Sequence, residues 1–311
     1  MLAVVGGLTA AGWCLCSSGL LASAEEEDPE HASLLHRTRS SRLHRLDPVL
    51  QKFGRAKTDN RAASAHRRYP SLTHVVRVAL TGGPCAGKSS CLVHITRKAT
   101  EAGFDVYTAP EVATVFFNSG VQLGDILARD DKEGMFTFQS ALLQHQLSLE
   151  RALTKIAAST GRPSIIIFDR GCIDAKGYMS QAVWGRVLGE ANSTSTDDGT
   201  LKKGVTEEYL LKRYDGVLHL VTAADGAPQF YKHGKVKDDA GNDVIRHESP
   251  EQAVELDKKM REVWKAHPQH HIVANGAGGF QEKLSAASNV VLELARKTHP
   301  EEYETAQKKQ R

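Results

Sequence analysis

The sequence predicts an α/β fold in which a parallel sheet is flanked by helices, and three observations predict it. Apolar runs rich in β-branched residues recur at 75–80 (VVRVAL), 164–168 (SIIIF) and 217–222 (VLHLVT). Runs of this kind suit strands buried on both faces of a parallel sheet. Segments with helical apolar spacing separate them, which is the alternation of a layered α/β domain. A glycine-rich turn at 81–90 joins the first strand to the first helix.

The elements follow in order. After the 81–90 turn, residues 88–102 read as a helix closed by Gly103 at the position after the C-cap. Residues 104–108 supply a second strand. Phe138, Leu142, Leu149, Leu153 and Ile156 recur at spacings that place them on one face of a long helix over 136–157. Gly161-Arg162-Pro163 breaks the chain before the SIIIF strand. Residues 185–204 are polar and rich in Gly, Ser and Thr, and read as a flexible loop; a short helix over 206–214 follows. Residues 224–248 are Gly- and charge-rich with weak periodicity. Ser249-Pro250-Glu251-Gln252 then opens a helix: Ser249 caps it, Pro250 suits its first turn and Gln252 completes a capping box. Leu256, Met260 and Val263/Trp264 mark its buried face. A last strand over 271–274 and a last helix over 281–296 close the domain, with a charged tail at 298–311.

The overall charge of +3 conceals a division of the chain. Residues 1–30 hold five acids and no Lys or Arg, residues 31–70 hold ten Lys/Arg and two acids, and the remainder holds thirty of each. Residues 1–24 form an apolar leader in which Ala22-Ser23-Ala24 has the form of a signal-peptidase site, although a positive n-region is missing. A cleaved leader, an uncleaved anchor and a misassigned start codon all stay open. Residues 25–70 read as a basic disordered linker or as a transit segment, and they could make weak membrane contact. An organelle address (plastid or mitochondrion) follows from the first reading, a cytoplasmic one from a misassigned start. The domain proper is placed at 71–297. Its bases are scattered rather than massed, so no nucleic-acid partner is expected. The five cysteines form no disulfide framework and no zinc-ligand spacing.

The chemistry lies in the turn. Gly82-Gly83-Pro84-Cys85-Ala86-Gly87-Lys88-Ser89 matches G-x-x-x-x-G-K-[ST], and Ser90 follows. Backbone that must wrap a phosphate closely needs glycine at both ends of the loop. The loop amides and the helix N-terminus bind the anion, Lys88 reaches the β/γ-phosphates, and Ser89 can ligate Mg²⁺. The prediction sharpens to a P-loop NTPase fold that binds ATP or GTP with Mg²⁺. No G-x-G-x-x-G follows a strand, which disfavours a dinucleotide fold. Asp169 ends the SIIIFD strand, where such folds place a carboxylate on magnesium, directly or through water. Arg170 beside it could meet phosphate or substrate charge. Glu111 could accept the proton of a phosphate acceptor, or could be an acid that the helix dipole favours. Gln139 could read a base or amide edge of a substrate, or could face solvent. Arg246 lies in 224–248, where kinases of the deoxynucleoside type carry a lid, and could stabilise charge on the transferring phosphoryl group or be a surface arginine. Two readings share these motifs: a small-molecule, nucleoside-type kinase, and a nucleotide-dependent regulatory or trafficking NTPase.

LTGGPCAGKSS, APEVAT, FDRGCIDAKGY, RYDGVLHLVTAA, FYKHG, IRHESPEQAVELD and the W-x-x-HP at 264–268 together resemble one family over roughly residues 75–297. It is the AAA-type ATPase domain shared by NadR-like ribosylnicotinamide kinases and the TRPL-translocation-defect proteins, and the sequence is more similar to the second branch. The resemblance implies ATP or GTP binding on a kinase-like P-loop fold with a lid. Longer members carry a second, tunnel-type β domain linked to phosphoinositide binding, which is expected to be absent here. The resemblance does not extend to the nicotinamide-riboside specificity of the first branch, whose substrate pocket cannot be matched to this sequence position by position.

Overall fold

The computed structural model describes residues 74–128, 130–193, 204–237, 243–246, 248–298 and 300. The leader at 1–24, the basic segment at 25–70 and nearly all of the 298–311 tail lie outside the described residues. Among the described residues, no helix is long and apolar enough to cross a membrane.

The sheet is parallel throughout. Its strands are β1 (Val75–Gly82), β2 (Asp105–Ala109), β3 (Ser164–Asp169), β4 (Gly216–Leu220) and β7 (His270–Val273), in the order β2-β3-β1-β4-β7. Val75 pairs with Ser164 and Val78 with Gly216, which makes β1 the central strand. Alternate residues of β1 and β3 feed two cores. Val76, Val78, Leu80, Ile165 and Ile167 pack on the side of α1 (Lys88–Glu101) and α8 (Gly279–Thr298). Val75, Ala79, Ile166 and Phe168 pack on the side of α4 (Asp131–Thr160), α5 (Gln181–Ser193) and α6 (Glu207–Leu211). This two-sided burial is why the strands read as unbroken apolar runs. A smaller cluster joins α2 (Val112–Asn118) and α3 (Leu123–Leu127) to Phe138 and Leu142 of α4. Between β4 and β7 stand a two-stranded antiparallel hairpin, β5 (Gly234–Lys237) and β6 (Asp243–Arg246), and α7 (Pro250–Trp264). The hairpin occupies the segment expected to be a lid. The whole is the P-loop NTPase architecture that the sequence predicts.

Several expectations need correction. α4 begins five residues before 136, because the Asp130 side chain accepts from the amides of Lys132 and Glu133 and caps an earlier start. Its predicted face is buried at Phe138 and Leu142 and partly so at Leu149 and Leu153, but Ile156 is 53% exposed, and Leu143, Leu147 and Ala157 are buried together with Gln139, Gln146 and Glu150. The loop expected over 185–204 is helical as far as residue 193. Trp184, Val187 and Ala191, three and four residues apart, give α5 a buried face that its polar surroundings hide; residues 194–203 lie outside the described residues. The capping box at Ser249 forms as predicted. On α7, however, the buried stripe is Ala253, Asp257, Met260 and Trp264, and Leu256 is only half-buried.

Candidate functional site

The turn at 82–89 leaves the centre of the sheet and runs into α1. Gly82 has φ 138°, and a Cβ there would lie 2.1 Å from the carbonyl oxygen of Leu220 on the neighbouring strand. No other residue fits. Gly87 has φ 84° and serves as the N-cap of α1 without a side-chain cap bond. A helix start without a side-chain cap is a place where an anion can bind. Lys88 folds back over the loop, its Nζ 3.4 Å from the Gly83 carbonyl. Thr222, just past β4, donates from Oγ1 to the Pro84 carbonyl at 2.5 Å, and the Ala223 amide donates to that of Cys85 at 3.3 Å. Ala86 is buried, Ser89 is exposed and Ser90 half-buried. Nine consecutive residues, Gly82 to Ser90, thus form one amide-lined turn and helix start, as the motif requires.

The carboxyl ends of β2 and β3 bring the acids to this loop. Asp169 Oδ1 is buried and has no hydrogen-bond partner among the described residues. Burial pushes the Asp169 carboxyl up to about 6, with Glu111 adding to the effect and Lys88 opposing it. Arg170, in the left-handed region at φ 75°, donates its amide to Leu80 and aims its guanidinium back across the sheet end. Nε donates to Glu111 Oε1 at 3.2 Å and Nη1 to the Gly82 carbonyl at 2.8 Å, and Nη1 lies 3.8 Å from Asp174 Oδ2. Burial by itself would lower the Arg170 pKa, but Tyr178 and the carboxylates of Glu111, Asp174 and Asp169 hold it above the ordinary range. Glu111 flanks α2 without capping it. Its carboxylate accepts from Thr114 Oγ1 at 2.8 Å and from Arg170 Nε.

A narrow cleft opens here. Glu111, Gln146, Arg170 and Asp174 provide its polar wall, and Val112, Ala113, Leu142 and Ala175 its apolar one. Asp174 accepts from Thr81 Oγ1 at 2.9 Å and from the Trp264 indole. Burial raises its pKa, while Arg170 and these donors pull it back. Gln146 donates to the Arg170 carbonyl and to Glu150, each at 3.0 Å. Glu150 in turn accepts from Arg213 Nε at 2.7 Å and Tyr214 OH at 2.6 Å, which anchors the floor of the cleft.

Of the predicted residues, Lys88, Glu111, Asp169 and Arg170 come together at one place. Gln139 does not face solvent. It is fully buried on the face of α4 that carries Leu142 and Gln146, with Oε1 unpartnered among the described residues, but it does not line the cleft. Arg246 ends β6, its backbone paired with Gly234; its side chain lies outside the described residues. Asp174, Gln146 and Asp257 belong to the site region and were not singled out from sequence. Asp174 follows Asp169-Arg170 closely enough that its position could have signalled it, whereas Gln146 carried no signal in the helix.

A family model described as an AAA domain matches residues 77–283, which contain the loop, both strand-end acids, the hairpin and α7. No curated protein matches the chain.

Proposed function

The chain belongs to the AAA-domain family, whose P-loop binds nucleotide, and from that premise we propose that it is a small-molecule kinase that transfers the γ-phosphoryl group of ATP or GTP to a hydroxyl of a nucleoside-type acceptor. One observation carries this reading: the Arg170–Glu111 pair, at 3.2 Å, and Asp174 wall a partly apolar recess of about 10 Å³ next to Asp169, whose Oδ1 has no hydrogen-bond partner among the described residues.

In this reading the loop amides and Lys88 hold the triphosphate, with its γ end toward Asp169. The acceptor enters at the cleft, which has to widen from its present volume of about 10 Å³ to admit it. Glu111 takes the proton from its hydroxyl as the oxygen attacks phosphorus, and the nucleoside diphosphate oxygen leaves on the opposite side. Arg170 and Lys88 offset the charge on the transferring group. The residues fit magnesium: Asp169 has a buried oxygen awaiting a partner, and Ser89 lies one residue past the lysine. When bound, Mg²⁺ would neutralise phosphate charge. Two acids, Glu111 and Asp174, against one base, Arg170, line the cleft and favour a neutral or cationic acceptor over a phosphorylated one.

The test is γ-labelled ATP or GTP with Mg²⁺ and a panel of nucleosides. Labelled acceptor, and diphosphate release that depends on it, are expected. Release that no acceptor accelerates would instead assign the domain to regulatory NTP hydrolysis. Lys88→Ala should abolish nucleotide binding by calorimetry, and unchanged binding would refute the loop assignment itself.

A further inference from the structure

We infer that Asp257, on the helix that follows the lid hairpin, is a positioning residue for the nucleotide, setting the phosphate loop from behind through the Gly83 amide; the inference rests on the nucleotide-binding reading above. The Asp257 side chain is fully buried. Oδ1 accepts from the amides of Gly83 and Thr222, each at 3.0 Å, and lies 3.1 Å from His219 Nε2. Oδ2 accepts from Arg261 Nε at 2.8 Å and from its Nη2 at 2.5 Å, and Arg261 also reaches Asp225 at 3.2 Å.

The chain of contacts leads to the lysine. Gly83 is held at both ends: its amide by Asp257, and its carbonyl 3.4 Å from Lys88 Nζ. A rotation of residue 83 would therefore move the carbonyl that the Lys88 ammonium meets. There is no slack in the contact, because a Cβ on Gly83 would lie 2.9 Å from Asp257 Oδ1. The same carboxylate orients Thr222, whose hydroxyl grips Pro84 from the other side of the turn. A carboxylate near a phosphate site repels phosphate unless its charge is answered. Arg261 answers it while leaving Oδ1 to the loop.

α7 also connects the loop to the lid. Its first turn follows the hairpin directly. The Glu248 carbonyl accepts from Tyr231 OH at 2.9 Å and His233 Nδ1 at 2.8 Å, which fastens the start of the helix to the root of the hairpin. Two turns beyond Asp257, on the same face, Trp264 donates its indole N–H to Asp174. One helix thus carries the lid at its start, holds the phosphate loop at its middle and reaches the acceptor-side acid at its end.

The experiment measures the affinity of the full-length protein for Mg²⁺–ATP, Mg²⁺–GTP and inorganic tripolyphosphate by calorimetry, well below the melting temperature of each variant, with folding checked by circular dichroism. Asp257→Ala should weaken nucleotide and tripolyphosphate alike by about 10- to 100-fold, the size of loss that follows small misplacement of a binding group. Asp257→Asn keeps an oxygen for the Gly83 amide and should stay within about threefold of wild type even though it melts earlier, a rescue that a purely structural role would not produce. Should the alanine variant not fold, Asp257→Glu serves: it keeps the charge and the Arg261 pair but pushes the loop, and should lose affinity as the alanine does. Wild-type affinity in folded Asp257→Ala or Asp257→Glu would overturn the inference, as would Asn binding as weakly as Ala. If the wild type binds neither nucleotide nor tripolyphosphate, it is the nucleotide-binding reading that fails.

Discussion

Glu111→Gln separates the acceptor-side chemistry from the architecture that supports it. The substitution is nearly isosteric and removes one negative charge. Gln keeps an oxygen for Arg170 Nε, now at 3.2 Å from Glu111 Oε1, but accepts from it as a neutral group. The Arg170 charge is not stranded, because Asp174 lies 3.8 Å away and the Gly82 carbonyl 2.8 Å away. A charge-assisted hydrogen bond contributes about 1.5–3 kcal/mol. With Glu111 about one-fifth exposed, a loss of about 1–2 kcal/mol is expected, or about 2–8 °C in melting temperature for a chain of this size. The effect on transfer is of another order: removal of a positioned proton acceptor lowers kcat by about 10²- to 10⁴-fold. Nucleotide affinity should stay within about threefold, because Glu111 touches Arg170 and Thr114 and no residue of the loop other than through Arg170. Calorimetry of Mg²⁺–nucleotide and acceptor-dependent transfer kinetics measure the two quantities on one preparation. A fall in transfer of less than about tenfold, or an equal fall in nucleotide affinity, would make Glu111 only the partner that holds Arg170 in place.

Three further outcomes are expected. Glu150→Gln leaves Arg213, 15% exposed, without its carboxylate; removing one partner of a buried pair costs about 3–5 kcal/mol, readable in urea melts, and a loss below about 1 kcal/mol would show the pair to be dispensable. Gly82→Ala should destabilise by more than about 3 kcal/mol, because its Cβ would meet the Leu220 carbonyl at 2.1 Å, and a normal melting curve would contradict the close approach of β1 and β4. Burial, with His219, His267 and His271 adding, pushes the His270 pKa down to about 4. The unfolded chain then binds a proton near its ordinary 6.5 that the fold refuses, so stability is present above that pH and is lost as pH falls toward 4. For a half-buried ring the loss is about 1–2 kcal/mol; His270→Phe should flatten the stability–pH curve by that amount, and an unchanged slope would exclude this ring as its source.

The parts of the fold that could be read from sequence are those whose signal is local. VVRVAL and SIIIF are unbroken because both faces of the central strands are covered, and the Ser249 cap and its Gln252 partner lie three residues apart. The parts that could not be read depend on which neighbour is present. α5 buries only Trp184, Val187 and Ala191 fully among polar residues, so composition alone resembled a loop. In α4 the apolar spacing was real, but Gln146 and Glu150 are buried with it because they bond to Arg170 and Arg213 from distant segments, which apolarity does not signal.

The same distinction divides the site. The phosphate side is one contiguous turn, so its residue types and spacing carry its geometry. The cleft beside it is assembled from β2–α2, α4, the end of β3 and the short 3-10 turn Asp174–Tyr178. Glu111 meets Arg170 across 59 residues and Gln146 meets it across 24. Asp257 reaches Gly83 across 174. In a helix with apolar residues at 256, 260 and 264 an acid at 257 falls on the face of 260 and 264, three and seven residues away, with no partner evident nearby in sequence except Arg261. It is buried because five donors converge on it, and those donors come from the loop, from Thr222 and His219 at the end of β4, and from Arg261 one turn on. An acid that stands within a predicted apolar stripe, with an arginine four residues later, is therefore better read as a candidate buried clamp than as a break in the pattern. In this chain that reading would have directed attention to the back of the phosphate loop.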